Sequence, residues 1–287
     1  MRALIPALCA LLFATSAAGQ ADHHDHHDHA MPPAKSSPAA PGDPAAEPPP
    51  PTDHAADRIF DPKVMAAARA ASHAEHGGGT YAMVLLDLAE FQFMNGKDGY
   101  RWEGEAWYGG DVHRLVLKTE GEGDINGATE DAEVQALYSR AVGPYFNLQA
   151  GVRGDFRPTP QRVYAAVGVE GLAPYFIKTD AALFVSDKGD VLARFELSYD
   201  QLITQRLVVQ PRVEMNFAAQ DVPANEIGAG LSEIELGLRL RYEFRREFAP
   251  YIGVNYTRKV GNTAGFARAA GERTAGTGLV VGIRTWF

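Results

Sequence analysis

Apolar and polar side chains alternate, stretch after stretch, from residue 81 to residue 287, and no helical period persists in that span. Successive side chains of a strand point to opposite faces, so a period of two describes a sheet with one apolar and one polar side. Residues 232–245 are the clearest case. Ile234, Leu236, Leu238, Leu240, Tyr242 and Phe244 fall on one face, and Glu233, Glu235, Arg239, Arg241, Glu243 and Arg245 on the other. Residues 207–217 set Val209, Val213, Met215 and Phe217 against Gln210, Arg212, Glu214 and Asn216. In the same way, residues 191–200 set Phe195, Leu197 and Tyr199 against Arg194, Glu196 and Asp200. One such strand fits a half-buried soluble sheet equally well, so the count carries the argument. Segments begin near Tyr81, Tyr100, His113, Asp131, Tyr145, Arg162, Phe176, Val191, Leu207, Glu233, Tyr251 and Thr277. Each runs for about ten residues, the length of a tilted strand that crosses a bilayer with lipid on one side and a polar lumen on the other. The pattern predicts an all-β fold, a transmembrane antiparallel β-barrel of about 12 strands.

An even strand number with alternating short and long connections is the pattern of an outer-membrane barrel, whose short turns face the periplasm. With the first strand running outward, the inner turns are expected at 109–111, 142–144, 172–174, 203–205 and 247–250, and the longest outer loops at 218–231 and 259–275. Three inner turns share a small repeat: Gly143-Pro144-Tyr145-Phe146, Ala173-Pro174-Tyr175-Phe176 and Ala249-Pro250-Tyr251-Ile252. Proline fixes the turn, and the tyrosine after it is expected in the aromatic girdle at the membrane interface. Two residues resist the pattern. Asp87 shares a phase with Phe91 and Phe93, and a carboxylate facing lipid is costly. Pro211 removes a ladder donor inside a strand that has no free edge. A bulge is expected at one or both sites.

The first 79 residues have another character. Residues 1–19 read as a secretory signal: Arg2, an apolar run over 3–14, then small residues over 16–19. The run is too short to span a bilayer. It contains the chain's one cysteine, Cys9, so cleavage leaves neither a disulfide nor a thiolate metal site. Residues 20–79 form a leader expected to be disordered, because ten of the eighteen prolines fall between positions 31 and 62 and little there can bury a core. A short Ala-rich helix is expected over 62–74, and Gly77-Gly78-Gly79 ends the leader. The net charge of -9 argues against a nucleic-acid partner, which needs a basic face.

Just behind the signal, residues 22–29 read DHHDHHDH. The imidazoles of His23, His24, His26, His27 and His29, with the carboxylates of Asp25 and Asp28, suit Cu(II), Ni(II) and Zn(II). Their spacing builds no helical or tetrahedral cage; it suits a flexible tail that wraps an ion with whichever ligands reach it. The bland alternative is a solvated polar leader that binds metal incidentally. His54, His73 and His76 extend the donor set, as do the thioethers of Met31 and Met65. Thioether sulfur is soft and favours Cu(I), so the mixed tail leans toward copper ion, as Cu(II), Cu(I) or both.

Six barrel stretches carry a resemblance: GGDVHRLVLKTEGE (109–122), LYSRAVGPY (137–145), GLAPY (171–175), TQRLVVQPRVE (204–214), GLSEIELGLRLRYEFRREFAPYIGV (230–254) and VVGIRTWF (280–287). In these stretches the chain resembles the copper-resistance protein B family of bacterial outer-membrane proteins, over essentially the whole of 81–287. The resemblance implies an outer-membrane barrel, a periplasmic leader rich in His or Met, and a role in copper resistance beside a periplasmic multicopper oxidase. Family leaders are often Met-rich, whereas this one is His/Asp-rich. The terminal Phe287 resembles the signal read by the outer-membrane assembly machinery.

Inward charges by phase are Arg101, Glu103, Glu105, Lys118, Glu120, Glu122, Arg153, Asp155, Arg194, Glu196, Arg212, Glu214, Glu233, Glu235, Arg239, Arg241 and Glu243. They read first as a salt-bridged lining, since buried charges must be paired. The alternative is a cation path with Glu120, Glu122, Glu233 and Glu235 as acidic rings and Met83 and Met94 as soft ligands. His113, the only histidine in the barrel, follows an inner turn; it reads as a hydrogen-bonded structural residue or as an acceptor of metal from the tail. With no histidine near the outer loops, a nucleophile there lacks its usual base, and no catalytic role is expected. The expectation is a barrel that captures copper on its tail for sequestration or transfer, with membrane lipid, copper ions and a multicopper oxidase as partners. Its rivals are a narrow general porin with an incidental tail and, further off, an outer-membrane enzyme.

Overall fold

A computed structural model describes residues 54–76, 78–94, 98–125, 127 and 129–287. The DHHDHHDH segment and Met31 lie outside the described residues. Ahead of the strands come a single 3-10 turn, Ala55–Arg58, and α1 (Pro62–His76), which covers the helix expected over 62–74. Arg69 donates from both terminal nitrogens to Asp57, at 2.5 and 3.0 Å, and so ties the turn to the helix.

Strands follow in sequence: β1 (Tyr81–Met94), β2 (Gly99–Gly109), β3 (His113–Asp124), β4 (Thr129–Ala141), β5 (Phe146–Arg157) and β6 (Arg162–Ala173). Next come β7 (Ile177–Ser186), β8 (Val191–Ser198), β9 (Gln201–Leu202), β10 (Leu207–Ala218), β11 (Gly230–Tyr242), β12 (Phe248–Lys259) and β13 (Ala275–Trp286). Every pairing is antiparallel, neighbours follow chain order, and β13 returns to β1, so the sheet closes on itself. Closure leaves no open edge and satisfies the backbone within the sheet. No helix among the described residues is long and apolar enough to cross a membrane; the crossing is made by strands.

Pro211 explains why thirteen named strands make a twelve-strand barrel. Ser198 lies opposite Arg212 and Gln201 opposite Val209, one unbroken register, so β8 and β9 are two pieces of one strand. Pro211 has no N–H to give, and its carbonyl still accepts from the Tyr199 amide at 3.2 Å. The ladder loses a bond there without a bulge. The bulge is at Asp87. Register shifts between Leu86 and Leu88 against β2, and between Leu86 and Ala89 against β13. The extra residue turns Asp87 inward, where Arg284 of β13 donates to it at 2.5 Å, while Phe91 and Phe93 stay outside.

Burial is inverted relative to a soluble protein. Leu236, Leu238, Leu240, Ile252, Val254, Leu279 and Val281 are exposed on the outside, whereas Glu90, Arg101, Arg212, Glu214, Arg239 and Arg241 are buried within. Only a hydrocarbon solvent makes that arrangement favourable, and the exposed apolar belt is the membrane-facing surface.

Two expectations are corrected. The loop expected over 259–275 contains α2 (Gly261–Ala269), whose Thr263, Ala264 and Ala267 are buried. Its sequence, GNTAGFARA, carries two glycines and little apolar area, so packing rather than propensity makes it a helix. The fifth inner turn ends earlier than 247–250, since Pro250 already pairs with Ile283 in β12. As a result Tyr251 points into the lumen, 4% exposed, while Tyr145 and Tyr175 of the same repeat are exposed at the rim, 64% and 85%.

Candidate functional site

Alternation places one charged side chain after another along the inner wall, and these meet across the lumen. Arg101 on β2 contacts Glu120 of β3 at 2.8 Å, Glu214 of β10 at 3.3 Å and Glu235 of β11. Arg212 on β10 reaches Glu103 of β2 at 2.7 Å and Glu196 of β8 at 2.8 Å. Arg194 on β8 contacts Glu120 at 2.6 Å and Glu133 of β4 at 2.9 Å, and Arg153 of β5 shares Glu133 at 2.7 Å. Arginine suits this task because its planar fork stays charged and serves several carboxylates at once. The apolar part of the interior joins the same layer, with the Arg153 guanidinium 4.6 Å from the Phe184 ring centroid and 5.2 Å from that of Tyr164.

A second knot sits beside the closing seam. Arg239 donates from Nε and Nη2 to both oxygens of Glu90, at 3.0 Å each, and the Tyr251 hydroxyl donates to Glu90 at 3.0 Å. Gln92 adds a further donor at 3.1 Å. Gly282 makes room for it: a Cβ there would stand 2.5 Å from the Tyr251 hydroxyl and 2.6 Å from the Ala89 carbonyl.

On the periplasmic side of the charge layer the lumen opens into a cavity of about 570 Å³. Eight carboxylates and five cationic side chains line it, so its balance is acidic. Lys118 bridges Asp180 at 2.5 Å and Glu170 at 3.4 Å. Met83 stands among the lining residues from β1. At the opposite end the two long outer loops are tied together. Asp221 accepts from the Ala229 amide at 2.7 Å and from the Asn262 side chain at 3.1 Å, and Thr263 accepts from the Gly228 amide at 2.8 Å. These two donors hold the Asp221 carboxyl below the usual carboxylate range, the Ala229 amide first.

The proposed ligands separate accordingly. Glu120 and Glu235 are ion-paired across the lumen, whereas Glu122 and Glu233, one step further toward the outer mouth, enter none of the ion pairs described above. His113 does not join them. It faces outward, exposed, with Nδ1 bonded to the Tyr138 hydroxyl and its ring stacked on Tyr138 at 5.8 Å. Met94 approaches Gly278 on the lumen side, where a Cβ would lie 2.5 Å from its sulfur. His54 is exposed and Met65 half-buried in α1, and His73 and His76 fall one turn apart in the same helix. Among the described residues no three His, Cys, Asp or Glu side chains converge on a position that could hold a metal ion. His23, His24, Asp25, His26, His27, Asp28, His29 and Met31 lie outside the described residues. Reading the sequence missed Glu90, because the phase break at Asp87 hides the inward run Leu88, Glu90, Gln92; the alternation with Phe91 and Phe93 was its available signal.

A family model described as "Copper resistance protein B precursor (CopB)" matches residues 80–287. The chain is 46% identical to Copper resistance protein B of Escherichia coli over 215 residues, 75% of this chain and 72% of that protein. It is 42% identical to a Copper resistance protein B homolog of Pseudomonas syringae pv. tomato over 232 residues, 79% of each. Among solved structures, the NanC porin aligns with a TM-score of 0.48 at 13% identity, covering 70% of this chain and 98% of that one. The KdgM porin aligns at 0.46 and 10%, covering 71% and 98%.

Proposed function

The chain is an outer-membrane β-barrel that belongs to the copper resistance protein B family, and on that premise we propose that it captures copper ions on its N-terminal leader, for sequestration or transfer across the outer membrane. Copper here is cargo. The observation that carries the reading is the pairing of the family with a DHHDHHDH segment on the same chain. β1 begins at Tyr81 on the side of the short turns, which supports a periplasmic leader. Imidazole and carboxylate take Cu(II), and Met31 and Met65 add the softer donors that Cu(I) prefers. A periplasmic multicopper oxidase is the partner this reading expects.

The barrel's part is to fix the tail at the membrane and to bar free passage. Lumenal arginines paired with carboxylates on far strands favour a holding or gated role over an open general pore. Cellular copper content tests the proposal. At fixed external copper, cells making the protein should differ in copper content from cells lacking it, and the difference should shrink when the five leader histidines are replaced. Equal copper in all three would remove the proposal.

A further inference from the structure

The lipid-facing wall of β1–β5 is not covered evenly by bulky side chains. Near its periplasmic end Ala82, Ala106, Ala136 and Ala150 occupy outward positions, and a groove of about 680 Å³ lies over them. Tyr108, Leu115, Leu117 and Tyr138 rise around it, each exposed. The register makes this a continuous depression. Leu117 has Ala106 on one side and Ala136 on the other, and Ala150 lies opposite Tyr138. Floor and walls offer almost no polar surface, so what fills the groove must be hydrocarbon.

Its periplasmic edge is different. Arg140 lies directly opposite His113, and both are exposed in the same outward phase as Leu115 and Tyr138. The Tyr138 hydroxyl engages Nδ1 of His113 and the stacked rings fix its direction; in the tautomer whose Nδ1 accepts from the hydroxyl, and in the imidazolium, Nε2–H is a donor at the rim. Among the described residues no carboxylate is within ion-pairing distance of Arg140; the neighbouring acid, Asp111, sits in the turn beyond. A guanidinium and an imidazole donor one row past an apolar groove complement a phosphate on a hydrocarbon chain.

We propose that this groove is a site for one phospholipid of the periplasmic leaflet, with an acyl chain along the alanine floor and the phosphate between Arg140 and His113. The proposal rests on the barrel and its orientation, not on copper. Native mass spectrometry of the full-length protein in maltoside detergent, with phosphatidylglycerol or with diacylglycerol of the same chains, tests it. The unmodified protein should retain one phosphatidylglycerol, and diacylglycerol at least about tenfold less, the size of one charge-assisted hydrogen bond. Ala106→Leu with Ala136→Leu should abolish retention, and Arg140→Gln should erase the preference for the phosphate. A heat-dependent gel shift checks that each variant is folded, and the comparison of the two lipids on the unmodified protein decides the matter without any variant. No retained lipid, equal retention of both lipids, or a second barrel covering this face would overturn the proposal.

Discussion

Arg212 and Glu103 stand five strands apart around a barrel of twelve, yet their side chains meet at 2.7 Å. Such a pair spans most of the lumen's width. Arg101 with Glu235 and Arg194 with Glu120 repeat the crossing from other strands, so the middle of the barrel is filled by paired charge. Desolvated ions tolerate this only when each has partners, which is why one guanidinium here serves two or three carboxylates.

Conductance follows from that layer. The unmodified protein should show small or no steps in planar bilayers. Replacing Arg101 and Arg212 together by Ala strips Glu103, Glu196 and Glu235 of their ion-pair partners, leaves Glu214 with Arg194 alone and clears two long side chains. The expected outcome is a larger, cation-selective conductance. A wide, non-selective pore in the unmodified protein would mean that the paired layer does not close the lumen.

Glu90 and Arg239 should matter for stability rather than passage. Their side chains are 0% and 2% exposed, and removing one partner strands the other. Arg239→Met is expected to cost about 3 kcal/mol or more, whereas the double change with Glu90→Leu should recover much of it. Gly282→Ala should act in the same direction by pushing Tyr251 off Glu90. The temperature at which the folded gel mobility is lost reads all three, and an unshifted Arg239→Met would deny the knot its role.

Asp221 gives the outer loops a pH limit. Its carboxyl is held below the ordinary range, so its contribution is present above the unfolded value of about 3.9 and is lost as pH falls through the lower, folded value. Amide exchange at Ala229 should be equally slow at pH 7 and pH 5 after correction for the intrinsic rate. Asp221→Ala should speed it at both, and the unmodified chain should approach the variant only in stronger acid. Equal protection in chain and variant at pH 7 would show that Asp221 does not tie the loops.

Much of this architecture was legible because period two is a two-sided code. Glu235, Arg239 and Arg241 alternate with Leu236, Leu238 and Leu240, and a strand so written has one way to face lipid. The seam was harder. At Asp87 the code slips by one residue, and only pairing with both neighbours shows that the slip puts a carboxylate against Arg284. Partner choice was out of reach. Arg239 and Arg241 could be assigned to the lumen, but that Arg239 would meet Glu90, 149 positions away, rather than Glu233 or Glu235 depends on how the barrel closes. The Pro-Tyr repeat failed at Tyr251 because strand β12 starts before its proline, which reverses the face of the residue that follows.

The central claim is that the leader, not the barrel, holds the copper, and calorimetric titration of the full-length protein with Cu(II) from pH 5 to pH 8 tests it most directly. Imidazole binds metal only when deprotonated, so affinity should weaken as pH falls through about 6.5. Replacing His23, His24, His26, His27 and His29 by Ala should remove most high-affinity Cu(II) binding and leave the barrel folded, while loss of Met31 and Met65 should weaken Cu(I) binding more than Cu(II). Undiminished Cu(II) affinity in a variant in which His54, His73 and His76 are replaced along with those five would place the metal in the barrel and contradict the account.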